Sequence, residues 1–149
     1  MAGPGNSTAS LRLFGDDLDP EEITDILGCS PTGSHKKDEE RFSRRTGKRI
    51  LDAMGRPAVW KTGSWRLSTG WRGPGDLEAQ IWELLRKVAD DVAIWQSLAS
   101  RYQGDVFCGW QMNSGNEGVF LPPPLLQALG ERRLALNLDV YGTSEEDEA

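Results

Sequence analysis

Ser10-Leu11-Arg12-Leu13-Phe14-Gly15, followed at once by Asp16-Asp17-Leu18-Asp19-Pro20-Glu21-Glu22-Ile23-Thr24-Asp25-Ile26-Leu27-Gly28, decides the architecture of this chain. The first six residues alternate and read as a strand with one buried face. The block after them carries the start and stop signals of a helix. Asp19 is the N-cap and Pro20 takes the first helical position, where its missing N–H costs nothing. Glu21 and Glu22 sit in the positive first turn. Ile23, Ile26 and Leu27 make one apolar face, Gly28 ends it, and Pro31 lies just beyond.

The same order returns near the other end. Residues 105–111 read as a strand, with a turn over 112–117. Pro122-Pro123-Pro124 leads into a short helix over 125–129, stopped by Gly130, and 133–141 alternates as the last strand. Between the two copies Asp76 caps the longest helical segment. Its stripe is Leu77, Ile81, Leu84, Leu85, Val88, Val92, Trp95, Ala99 and Tyr102, stepping by three and four. One helix, or two joined by a kink at Asp90-Asp91, both fit. This pattern predicts an α+β protein: a single-domain two-layer sandwich of two split βαβ halves joined by a long helical segment, with helices on one face of a mixed or antiparallel sheet.

The middle is irregular. Residues 30–56 are polar and basic and read as a long loop, with a short helix within 42–54 where Ile50, Leu51 and Met54 share a face. Ala58-Val59-Trp60-Lys61-Thr62-Gly63-Ser64-Trp65-Arg66-Leu67-Ser68-Thr69 reads as a strand broken or bulged at Gly63, or as a tight hairpin. Residues 1–9 read as a disordered lead and 143–149 as an acidic disordered tail, leaving 10–142 as the domain. Trimming 1–8 and 144–149 is expected to leave stability nearly unchanged.

A chain of 149 residues buries roughly two thirds of its unfolded surface and folds without a disulfide or metal. No apolar run approaches the ~18 residues of a membrane span, and Met1–Thr8 have no basic or apolar stretch of the kind a secretory signal needs. A cytoplasmic protein with no membrane association is expected. Cys29, Cys108 and the single histidine fall short of a four-ligand zinc set, so no metal is expected, and no motif points to a cofactor. Cys108 lies in Val106-Phe107-Cys108 and reads as a small buried hydrophobe. The net charge of −6 is uneven: residues 1–29 carry −5, 30–72 carry +7 and 73–149 carry −8.

Leu11-Arg12-Leu13-Phe14-Gly15 with Leu18-Asp19-Pro20-Glu21-Glu22-Ile23, Leu27-Gly28-Cys29-Ser30-Pro31-Thr32 and Lys36-Lys37-Asp38 together resemble a bacterial family described as domain of unknown function 4279. Gly63-Ser64-Trp65-Arg66-Leu67-Ser68-Thr69, Leu125-Leu126-Gln127-Ala128-Leu129-Gly130 and the Leu-Asp-Val-Tyr of 138–141 extend the likeness from residue 10 to 142. The family has Lys-Gly-Asp where this chain has Lys37-Asp38, so the chain lacks the glycine on which a tight turn there would rest. The resemblance implies one compact domain and carries no activity.

Candidate functional residues lie in the basic middle. His35, Lys36, Lys37, Arg41, Arg44, Arg45, Lys48 and Arg49 fall within fifteen residues, and Lys61, Arg66 and Arg72 interleave with Trp60, Trp65 and Trp71. Phosphate binding to nucleic acid is disfavoured by Asp38-Glu39-Glu40 inside the run and by the acidic whole. The acidic cluster over 16–22 lacks the spacing of a calcium loop, and helix capping explains its Asp19, Glu21 and Glu22; Gly70-Trp71-Arg72-Gly73-Pro74-Gly75 fits no phosphate-loop spacing. The reading is a non-enzymatic binding module for a protein partner or a small anionic or aromatic ligand, with His35, Lys36, Lys37, Trp60, Trp65 and Arg66 as its site. Two rivals stand beside it: a small hydrolase- or transferase-like enzyme pairing His35 with Glu117 or Asp139, and a nucleic-acid accessory factor using the basic loop.

Overall fold

The computed structural model describes residues 5–143. Among them the elements follow as β1 (Asn6–Gly15), α1 (Pro20–Leu27), β2 (Gly33–His35), β3 (Gly63–Ser68), α2 (Leu77–Lys87), α3 (Val92–Ala99), β4 (Gln103–Gln111), α4 (Pro123–Glu131) and β5 (Ala135–Tyr141). The strands form one sheet in the order β2-β3-β1-β4-β5. Central β1 is antiparallel to β3 and β4, β2 is antiparallel to β3, and β5 runs parallel to β4. The chain is thus a single α+β domain on a mixed sheet. Its first half is a split βαβ, since β1 and β2 run the same way with β3 between them. The second half departs from the expected split: β4 and β5 lie side by side. β1 already occupies the other edge of β4, and the described residues hold no further strand to insert.

Alternation along the strands sorts the two faces. Leu11 and Leu13 of β1, Trp65 and Leu67 of β3, and Val106, Cys108 and Trp110 of β4 are buried in one core with residues of all four helices. Arg12, Phe14, Ser64, Arg66, Asp105 and Phe107 have the opposite parity and form the uncovered face. No helix of the described residues is long and apolar enough to cross a membrane.

Several boundaries differ from the sequence reading, each for a local reason. β1 begins at Asn6, so residues 5–9 are not a disordered lead. Ser7 is fully buried, its hydroxyl donating to Gln80 Oε1, and its backbone exchanges hydrogen bonds with Arg72 at 3.0 and 2.9 Å. Small polar residues hold this end of the strand through a buried glutamine, which a search for apolar anchors passes over. The acidic tail from Ser144 lies outside the described residues.

The long helical segment is two helices. Val88 turns extended, and Asp91 caps α3 by accepting from the Ala93 N–H at 2.9 Å. Trp95 is 1% exposed, and its Nε1–H donates to the Ala89 carbonyl in the break at 2.7 Å. α4 runs through Gly130 rather than stopping there. Its end is closed two residues later, where Leu134 N–H donates to Leu129 O and Arg133 N–H to Gly130 O, each at 3.0 Å. Arg133 takes the left-handed position that glycine usually fills, at φ +57.

No helix forms within 42–54. Ser43 Oγ accepts from the N–H groups of Arg45 and Thr46, and Asp52 Oδ1 from those of Met54 and Arg56. Such local bonds compete with helical ones. Residues 36–62 instead form an irregular β arm. Glu40 bridges Val59, Phe42 bridges Arg49, and Leu51 bridges Pro57, with turns at Gly47 and Gly55 in the left-handed region. The arm includes Ala58–Trp60, so of the two readings at Gly63 the broken strand is the one observed. The turn before the arm also forms without the family's glycine: Glu39 N–H donates to Lys36 O at 3.3 Å, and Asp38 takes φ +68. Aspartate tolerates that region better than most residues.

Candidate functional site: a cationic cavity on the open face

The register of β2, β3 and β1 sets two rows across the open face. His35 lies opposite Ser64, which lies opposite Phe14; Gly33 lies opposite Arg66, which lies opposite Arg12. The arm brings Arg44, Trp60 and Thr62 over these rows. Together with Thr32 and Ser34 they enclose a cavity of about 640 Å³. Its walls hold three arginines, a histidine, two aromatic rings and several hydroxyls, with no carboxylate among the lining residues.

Each side chain has a discernible anchor. Arg12 pairs with both carboxylate oxygens of Asp105, at 2.8 and 2.7 Å, and lies over the rings of Phe107 and Phe14. The His35 ring stacks on Trp60 with centroids 3.7 Å apart and planes within 8°. The Arg41 guanidinium lies 4.4 Å from the same indole, and its buried Nε has no hydrogen-bond partner. Gly33 leaves room for both guanidinium groups: a Cβ there would sit 3.0 Å from Arg66 Nη2 and 3.9 Å from Arg44 Nη2. Two guanidinium groups therefore converge on one point. Burial, followed by the nearby Arg44 and Arg12 charges, holds the Arg66 pKa below its ordinary value.

Burial also lowers the pKa of His35, and Arg66 and Arg41 push the same way against Glu39. The folded protein then binds this proton less readily than the unfolded chain. The histidine's contribution to stability is present above the ordinary histidine pKa of about 6.5 and is lost as pH falls through the lower folded value. An NMR titration of the single histidine should give a midpoint below that of an unfolded peptide. A midpoint at or above the peptide value would contradict the environment described.

The structure brings His35, Trp60 and Arg66 together but not the other candidates. Lys36 and Lys37 turn back to Asp19 and Asp16, at 3.8 and 3.6 Å, and do not line the cavity. Trp65 is fully buried on the helix side, its Nε1–H donating to Thr24 Oγ1 at 3.1 Å, and is a core residue rather than a wall of the site. Arg12 and Phe14 are the residues that sequence reasoning misses. Their signal is the alternation of β1, which points both away from Leu11 and Leu13.

Neither carboxylate named as a partner for His35 lines its cavity. Asp139 lies in β5 at the opposite edge of the sheet from β2, four strand spacings or roughly 19 Å away. Its carboxylate accepts from the Tyr141 hydroxyl at 2.6 Å. Glu117 instead fixes the turn after β4, accepting from Gly5 N–H, Trp110 Nε1–H and Asn113 N–H at 2.9, 2.8 and 2.6 Å. Burial pushes the pKa of the Cys108 thiol up to about 12, which disfavours its thiolate.

Fold and site define a class: a small α+β domain with helices behind its sheet and a cationic, aromatic-walled cavity in front. The chain belongs to the DUF4279 family, a domain of unknown function whose family model matches residues 6–143. No curated protein matches the chain, and no solved structure does.

Proposed function

We propose that this domain is a non-enzymatic binding module, and that its ligand is a small anion carrying a planar group. The observation that supports this reading is the convergence of Arg44, Arg66 and Arg12 on one cavity whose lining has no carboxylate. Arg12 is already matched by Asp105, while Arg44 and Arg66 crowd each other at Gly33. Cations drawn together and partly desolvated are relieved by an anion, and a guanidinium fork suits a carboxylate or phosphate. The His35–Trp60 stack and Phe14 supply flat faces for an attached ring.

Calorimetric titration with phenyl phosphate, benzoate and inorganic phosphate tests the proposal. Phenyl phosphate should bind most tightly, because it uses both the cations and the rings. Arg66→Gln and Arg44→Gln should each weaken binding about tenfold or more, the worth of a charge-assisted hydrogen bond. Lys36→Gln and Lys37→Gln should leave it unchanged. Equal weakening by the lysine and arginine changes, or no binding of any probe, would sink the reading.

A further inference from the structure

We infer that β5 is the interface of a homodimer, paired antiparallel with β5 of a second copy about a two-fold axis at Leu138. β5 is an edge strand of seven residues, Ala135–Tyr141, without lysine or proline among them. Natural edges are usually guarded by such residues or by a covering element.

The hydrogen bonds indicate which groups face outward. Met112 N–H donates to the Tyr141 carbonyl, so Tyr141 bonds inward to β4. Residues alternate along a parallel ladder, so Ala135, Asn137 and Asp139 bond inward too, and Leu136, Leu138 and Val140 turn their N–H and C=O groups to the open edge. The same residues carry the strand's leucine and valine side chains. Leu138 is 46% exposed and Val140 56%, on the face that the helices cover elsewhere in the sheet.

A two-fold at Leu138 satisfies these groups in one register. Leu138 meets its own copy and Leu136 meets Val140, so every outward N–H finds an outward carbonyl. On the other face Asn137 meets Asp139, so an amide lies beside a carboxylate and no like charges are opposed. The two-fold also places both α4 helices on the same side, where Leu126 of each is 48% exposed. A second copy fits this edge because hydrogen-bonding parity, the aliphatic side chains and the Asn137–Asp139 pairing are all self-complementary under one operation.

Sedimentation equilibrium of the full chain should give about 33 kDa, twice the 16.5 kDa of one copy. Leu138→Lys and Leu138→Glu should each run as folded monomers by circular dichroism and mass, because each sets like charges on the axis. Mixing the two variants should restore the dimer mass, an outcome that misfolding would not produce. Wild-type protein that stays monomeric across micromolar concentrations, single variants that remain dimeric, or a mixture that fails to recombine would each overturn the inference.

Discussion

Trp65→Ala should unfold much of the population at a temperature where the wild type is fully folded. Trp65 is fully buried on β3 beside central β1, opposite Leu13, and packed in the core. Removing a buried indole costs roughly 3–5 kcal/mol through lost burial and the cavity left behind. It also leaves Thr24 Oγ1 without the Nε1–H that donates to it. Against a total stability of about 5–15 kcal/mol, that is a large fraction. Thermal and denaturant melts should both show it. A near-neutral result would mean that the ring faces solvent and that β3 presents its other face to the helices, exchanging the places of Trp65 and Arg66.

Deleting residues 1–8 should cost nearly as much, contrary to what composition alone suggests. The deletion removes the β1 residues paired with Gln111, Trp110 and Gly109. It also takes away Ser7, which accepts from Gln80 Nε2 at its carbonyl and donates to Oε1 from its hydroxyl. Gln80 is 2% exposed and keeps Thr69 Oγ1 and Asp76 N–H as partners, so the loss of its two hydrogen bonds to Ser7 costs about 1–3 kcal/mol. With the lost ladder the total should reach roughly 3 kcal/mol or more, a fall in melting temperature on the order of 10 °C for a chain of this size. Ser7→Ala, which removes only the hydroxyl bond, should cost about 1 kcal/mol. A deletion as stable as wild type would show that β1 contributes only from Ala9 onward.

The contrast between these two residues shows what local sequence can carry. Strand alternation and capping chemistry place Leu11, Leu13, Asp19 and Gly28 correctly, because those preferences are local and apolar burial enforces them. Ser7 is invisible to the same reasoning, since its partner Gln80 is 73 residues away and neither residue is apolar. The arm shows a second limit. Ile50, Leu51 and Met54 share a helical face, yet Ser43 and Asp52 capture the backbone N–H groups that a helix would need, and Leu51 and Met54 end up exposed.

The site was half legible for a related reason. His35, Trp60 and Arg66 stand out by residue type within the basic middle. Whether each reaches the cavity depends on strand parity and arm geometry. Trp65 and Arg66 are neighbours in sequence and lie on opposite faces of β3. Arg12 enters the cavity only because β1 pairs with β3 in the register that sets Arg12 opposite Arg66. Lys36 and Lys37 carry the expected charge but face Asp19 and Asp16 instead. The arm also displays exposed apolar residues, Phe42, Leu51, Met54 and Val59.

The most direct test of the anion-binding account is a ¹H–¹⁵N titration of the wild-type protein with phenyl phosphate, following the His35 ring, the Trp60 indole and the arginine side chains. The account predicts saturable shifts at His35, Trp60, Arg44 and Arg66 with one common affinity, and a rise in the His35 pKa from its lowered value as the bound anion favours the charged ring. Shifts confined to Arg45, Lys48 and Arg49 on the outside of the arm, or a His35 pKa that does not move at saturation, would contradict it.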